Sequence, residues 1–137
     1  MAKWSVTKRI EFDAAHRLSD YDGKCANLHG HRYVAELTYS TEKLDKQGFV
    51  IDFTEIKNGV GRWIDENWDH ATIAHRGNSG ISGKVFVLHE NPTAENMVAY
   101  LYGVAAGFLR EKELDALIVL ERVRIYETPG SWADYEE

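Results

Sequence analysis

Cysteine is nearly absent: Cys25 is the single one in 137 residues. A lone thiol closes no intrachain disulfide, so nothing in the sequence asks for an oxidising compartment. Proline is scarce, with two in the chain. No apolar run approaches the roughly 20 residues that a membrane span needs. An excess of positive charge is also missing. The chain has 16 Lys and Arg against 22 Asp and Glu, a formal net charge of −6, which argues against a nucleic-acid surface. Met1 to Ser5 run straight into a strand pattern and carry no signal-peptide core. A soluble, cytoplasmic protein is expected, with neither nucleic acid nor membrane as partner. What is present is an ordinary globular balance, 44% apolar and 28% charged. The length suits one core and is short for two, so one domain over residues 1–137 is expected.

Residues 4–12 place Trp4, Val6, Lys8, Ile10 and Phe12 on one face, and Ser5, Thr7, Arg9 and Glu11 on the other. That is the period of a half-buried strand, with Lys8 as its misfit. Residues 31–40 repeat it through Tyr33, Ala35, Leu37 and Tyr39. Between them, 17–30 reads as a loop long enough to carry function. Asp52-Phe53-Thr54-Glu55 reads as a capping box. It opens a helix on which Phe53, Ile56, Val60, Trp63 and Ile64 recur at helical spacing, and the pattern stops near Trp68-Asp69-His70. Gly59 and Gly61 weaken that helix and allow close packing. The glycine-rich residues 76–84 predict a mobile loop. Val85 to Leu88 predict a short strand, and Thr93 an N-cap. The helix after Thr93 carries Met97, Leu101, Val104, Ala105, Phe108 and Leu109 as its stripe. Residues 116–127 predict a last strand with Val119, Val123 and Ile125 on one face, interrupted by Glu121. An α+β fold follows, with helices on one face of an antiparallel sheet.

Three histidines carry the chemistry. His29 and His31 flank Gly30, and on an extended chain both point to one side. Gly30 is expected to leave room for an ion there. His16 lies just past the first strand, where a neighbouring strand can bring it alongside. Three imidazoles without a fourth protein ligand describe a catalytic zinc site with an open position, or plain surface histidines at a strand edge. Cys25 reads in three ways: a fourth ligand that closes the site, a reactive thiol beside Lys24, or a small buried apolar residue. Asp69-His70 offers a carboxylate and an imidazole suited to proton transfer near neutral pH, or a plain helix-end pair. Glu127 closes the last strand. His75 and His89 have no spacing argument and read as surface residues.

In order along the chain stand Phe12-Asp13-Ala14-Ala15-His16-Arg17-Leu18, Lys24-Cys25-Ala26-Asn27-Leu28-His29-Gly30-His31, and Gly48-Phe49-Val50-Ile51-Asp52-Phe53. Asp69-His70, Asn91-Pro92-Thr93-Ala94-Glu95-Asn96 and Glu127-Thr128 through Ala133 and Tyr135 follow. This combination resembles the 6-pyruvoyl-tetrahydropterin synthase and 6-carboxy-tetrahydropterin synthase family over nearly the whole chain. The resemblance implies the tunnelling fold, in which subunits join sheet edges into a trimeric barrel and two trimers stack into a homohexamer. It implies zinc on His16, His29 and His31, and Cys25 as a proton-transferring thiolate. It implies Asp69 and His70 serving the opposing proton transfer from a neighbouring subunit. Glu127 would grip the pterin ring, with Thr128 nearby.

The short interval from Cys25 to His29 resembles the 6-carboxy branch, of the queuosine route. The resemblance then implies a lyase that converts 7,8-dihydroneopterin triphosphate to 6-carboxy-5,6,7,8-tetrahydropterin, with loss of acetaldehyde and triphosphate. Arg17, Lys24 and Arg76 are the candidate cations for the triphosphate. Ala71 to His75 and the glycine-rich segment depart from the family pattern and bear on the substrate mouth. The alternatives are a 6-pyruvoyl-tetrahydropterin synthase and a non-catalytic, zinc-stabilised binding protein of the same fold. A zinc hydrolase is disfavoured, because no glutamate sits at helical spacing from a histidine pair.

Overall fold

The two longest strands frame the molecule. In the computed structural model, which describes residues 2–76 and 80–137, β1 (Trp4–His16) and β2 (His29–Thr41) pair antiparallel along their whole length. Trp4 lies opposite Thr41 and His16 opposite His29. The alternation expected for residues 4–12 continues four residues further, so Phe12, Ala14 and His16 occupy successive buried positions on one face. Between the strands lies one turn of 3-10 helix, Lys24–Ala26.

β2 also pairs antiparallel with β5 (Val119–Thr128), which turns into β6 (Ser131–Tyr135). On the other side β1 pairs with β3 (Ala71–His75), and β3 with β4 (Val85–Leu88). The order is β4-β3-β1-β2-β5-β6. The expected antiparallel pairing therefore holds for four strands, while β3 and β4 add in parallel and make the sheet mixed. Sequence alternation reveals neither β3 nor β6. Ala71, Ile73 and Ala74 are all buried, so β3 is covered on both faces and loses its period of two.

The last long strand differs from its expected face. Leu120, Val123 and Ile125 are buried, whereas Val119 is exposed. Thr38 pairs with Arg122 but Tyr39 pairs with Leu120. Glu121 is thus the extra residue of a β-bulge, and one inserted residue exchanges the two faces. Its carboxylate accepts from Lys3 Nζ at 2.8 Å and Ser40 Oγ at 2.6 Å.

Two helical segments lie on the buried face. Asp52 caps the first through Thr54 N–H at 2.8 Å. Glu55 faces Lys112 at 3.9 Å, so the reciprocal half of the box is not used. The segment runs as α1 (Phe53–Ile56), a π-helical turn (Lys57–Gly61) and α2 (Arg62–Asn67). A Cβ on Gly59 would stand 3.3 Å from the Phe108 ring, which is why glycine occupies the closest approach to α3 (Ala94–Glu111). Thr93 Oγ1 caps α3 through Asn96 N–H at 3.1 Å. Met97, Leu101, Ala105 and Leu109 are buried as expected, together with Val98 and Tyr102; Val104 and Phe108 are only partly buried. The Tyr102 hydroxyl donates to Leu120 O at 3.0 Å and fixes α3 over β5.

Phe12, Tyr33, Leu37, Ile64, Trp68, Met97 and Leu101 are fully buried, and Phe12, Leu37, Ile64, Met97 and Leu101 each contribute about 1.5–3 kcal/mol by leaving water. Phe12 stacks on Tyr33 at 5.2 Å and leans on Trp68 at 5.7 Å. This aromatic layer is the floor on which the next two rungs of the sheet stand. No described helix is long and apolar enough to cross a membrane. Residues 77–79, part of the segment expected to be a mobile loop, lie outside the described residues.

Candidate metal centre and its surroundings

The register of β1 and β2 assembles the histidines. His16 lies opposite His29, and Ala14 lies opposite His31. The period of two then puts all three imidazoles on the buried face. Ring centroids are 4.6, 5.1 and 4.9 Å apart, and the three prospective ligand nitrogens lie within 4.8 Å of one another.

Main-chain carbonyls set the tautomers of two rings. His16 Nδ1 donates to Pro92 O at 2.7 Å, and His29 Nδ1 donates to Asn27 O at 2.7 Å. A carbonyl only accepts, so in each neutral ring Nδ1 carries the proton and Nε2 the lone pair. The Nε2 atoms of His16, His29 and His31 are all buried without a hydrogen-bond partner among the described residues. His16 itself is only 1% exposed. Burial lowers the His16 pKa and outweighs the opposing Pro92 bond and Glu127 charge. His31 is likewise lowered by burial, against the pull of Glu127. Three imidazoles with buried, unpartnered and converging Nε2 atoms fit a metal ion of borderline softness. The carbonyls behind His16 and His29 are the outer partners that such ligands normally have.

Gly30 plays no part in making that room. It lies opposite Ala15, on the other face, and a Cβ there would meet only Ala14 O at 3.5 Å. Alternation excludes position 30 from the side that holds 29 and 31.

Glu127 completes the cluster from β5. Its carboxylate oxygens lie 3.8 Å from His16 Nε2 and 3.9 Å from His31 Nε2. Cys25 is a free, half-buried thiol on the 3-10 turn, and the metal-competent group among the described residues does not include it. Tyr33 was visible in the sequence only as a core residue. Its ring packs edge-on against His16 at 5.9 Å and His31 at 5.3 Å. Its hydroxyl is buried and has no hydrogen-bond partner among the described residues. Burial pushes the phenol above its usual range, helped by the negative charges of Glu127 and Cys25. Its place on the same alternating face as His29 and His31 was the available signal.

Three expected residues stand apart. Thr128 follows Glu127 and so faces the other way; it is exposed, and its Oγ1 accepts from Gly130 N–H at 3.3 Å. Asp69 and His70 occupy the turn before β3. His70 Nδ1 and Asp69 Oδ2 are 3.0 Å apart, and the His70 side chain is 76% exposed. Asp69 Oδ1 accepts from Asp13 N–H at 3.0 Å, and His70 N–H donates to Asp13 O at 2.6 Å. Lys84 Nζ donates to Asp69 O at 2.7 Å and Asp65 O at 3.0 Å. Burial raises the Asp69 carboxyl, but the Asp13 bond, His70 and Lys84 together hold it below its usual value. His70 has φ of 58°, a conformation that costs a non-glycine residue about 1–3 kcal/mol. His70 borders an open hollow with Asp13, Ala15, Gly30 and Arg32, which belong to the sheet face opposite the triad, and with Ala14 and His31 of the triad face. One chain therefore presents the three-histidine cluster on one face and the Asp69–His70 pair on the other. Of the remaining histidines, His89 is exposed beside Glu90 at 3.2 Å, and His75 is half-buried on β3.

Comparison with known proteins identifies the family and the fold. The family model of 6-pyruvoyl tetrahydropterin synthase matches residues 5–137. A 6-carboxy-5,6,7,8-tetrahydropterin synthase from Rickettsia bellii is 38% identical, covering 93% of this chain and 96% of its own. An uncharacterized protein from Wolinella succinogenes superposes with a TM-score of 0.84 at 18% identity, covering 99% of each chain. The 6-pyruvoyl tetrahydropterin synthase of Caenorhabditis elegans gives 0.75 at 23% identity, covering 100% of this chain and 97% of that one. With an α+β architecture shared with those structures and a family match over nearly its full length, the chain belongs to the 6-pyruvoyl tetrahydropterin synthase family.

Proposed function

We propose that the protein is a zinc-dependent 6-carboxy-5,6,7,8-tetrahydropterin synthase, one domain in length, acting in the cytoplasm in queuosine biosynthesis. Its substrate would be 7,8-dihydroneopterin triphosphate, and its products 6-carboxy-5,6,7,8-tetrahydropterin, acetaldehyde and triphosphate. The observation that carries the reading is the set of three buried, unpartnered Nε2 atoms, two of which lie within 3.9 Å of Glu127. It occurs in a chain 38% identical to a relative of that name.

His16, His29 and His31 would hold the zinc, which when bound supplies Lewis-acid polarisation of the substrate's side-chain oxygens. Glu127 accepts two parallel N–H bonds from the amino and ring N–H edge of the pterin, as a carboxylate does from a guanidinium. That grip orients the side chain toward the histidines. Cys25, on the turn between the strands that carry the ligands, moves a proton on one side of the substrate. His70, oriented by Asp69, moves protons on the other side. Because the pair lies on the opposite sheet face, it would come from a neighbouring copy in a homohexamer of two stacked trimers. Thr128 would act near the pterin edge, and Arg17, Lys24 and Arg76 are the cations available to the triphosphate.

Incubation of the zinc-loaded protein with 7,8-dihydroneopterin triphosphate tests the reading. Release of acetaldehyde with the 6-carboxy product supports it. Triphosphate release with a 6-pyruvoyl product would assign the chain to the other branch, and no turnover would leave a zinc-stabilised binding protein.

A further inference from the structure

We propose that Asn91 is a positioning residue of this site, whose side chain sets the Cys25 loop against the metal centre. The proposal rests on the reading of Cys25 as the proton-transfer group. The Asn91 amide acts on Ser19 as a neighbouring strand would: Oδ1 accepts from Ser19 N–H at 2.9 Å, and Nδ2 donates to Ser19 O at 3.3 Å. One residue back, Leu18 N–H donates to Cys25 O at 2.8 Å and closes the neck of the loop. The Cys25 turn thus hangs from a point that Asn91 holds. Its far end is fixed by the bond from His29 Nδ1 to Asn27 O.

The same dipeptide holds the metal centre through its main chain. Pro92 O accepts from His16 Nδ1 at 2.7 Å. Asn91 O accepts from Asn96 Nδ2 at 2.9 Å and from Thr93 N–H at 2.8 Å, tying the segment to the start of α3. Asn91 and Pro92 therefore link three parts: the first ligand, the Cys25 loop and the N-terminus of α3. The division between side chain and main chain makes the link separable. Replacing the Asn91 side chain removes only the two bonds to Ser19, while the carbonyls that hold His16 and α3 remain.

Proton transfer requires its group within hydrogen-bond reach of the reacting atom, so a slack loop should cost rate rather than metal. The test uses zinc-loaded Asn91→Ala and Asn91→Asp proteins. It compares zinc content, melting temperature, the rate of Cys25 alkylation by iodoacetamide, and kcat and KM on 7,8-dihydroneopterin triphosphate. For Asn91→Ala we expect unchanged zinc, KM within about threefold, and kcat lower by about 10- to 100-fold, the cost of misplacement near 1 Å. Alkylation should be at least about threefold faster because the loop opens. Asn91→Asp keeps the acceptor for Ser19 N–H and should fall between Ala and wild type. Wild-type kcat and alkylation in Asn91→Ala would overturn the proposal. So would a kcat loss matched by loss of zinc, which would mark a purely structural role. Should Asn91→Ala fail to fold, Asn91→Asp carries the test by the same criteria. If the wild-type protein does not turn over, the functional reading fails, and the alkylation rates still decide the role of Asn91.

Discussion

The histidine triad and the Asp69–His70 turn lean on the same strand and face opposite ways. His16 follows Asp13 by three residues, so the two fall on opposite sides of the pleat. The triad is enclosed: its Nε2 atoms are buried, and carbonyls brace two rings. The Asp69–His70 pair is pinned at its backbone by Asp13 and Lys84, yet its imidazole is open and its backbone strained. A buried cluster of converging imidazoles suits permanent ligation. An exposed imidazole on a rigid turn suits delivery to something outside the chain. Under the proposed function the difference divides one reaction between two surfaces, which only a second copy would bring together.

The largest expected effect falls on the enclosed half. A His29→Ala, His31→Ala double substitution removes two of three ligands, and bound metal should fall to background in elemental analysis. Metal content equal to wild type would move the centre elsewhere. Next comes Cys25→Ala, which should keep its zinc and lower turnover by about 10²–10⁴-fold, the usual weight of one acid–base group. Loss of zinc in that variant would make Cys25 a ligand instead. Glu127→Gln turns one acceptor into a donor that faces the pterin N–H edge. Substrate should bind more weakly by about 2–3 kcal/mol, the range for a charged hydrogen bond, as read by titration of pterin fluorescence.

The smallest effect is on stability. Burial depresses both His16 and His31 in the folded chain below the ordinary 6.5. Below that pH the unfolded chain takes up protons that the folded chain resists. The melting temperature of metal-free protein should therefore fall as pH drops below 6.5 and level off above it. A melting temperature that rises on acidification through that range would contradict the burial of neutral imidazoles.

Much of this was legible in the sequence because it depends on local period. The His-x-His pair had to share a face, and strand alternation from Trp4 to Phe12 extends without a break to His16. Asp52 and Thr93 announce the helices by their side chains alone. What escaped depends on partners distant in sequence. The bulge at Glu121 exists because Lys3 and Ser40 hold that carboxylate, and it exposes Val119 in place of Leu120. β3 hides because both its faces are covered. Asn91 reads as a helix start until Ser19 is brought beside it. That Asp69–His70 and the triad occupy opposite faces follows from the β1–β3 pairing, which no alternation in either strand reveals.

Subunit mixing tests the division between two surfaces most directly. Cys25→Ala and His70→Ala proteins should each be inactive alone while retaining metal. When the two are co-expressed in equal amounts and assemble together, a site that draws Cys25 from one copy and His70 from another is intact about one time in four. The account predicts recovery of about a quarter of wild-type turnover in the mixed oligomer. Mixed oligomers that remain as inactive as their parents would show that both groups must come from one chain, and would contradict it.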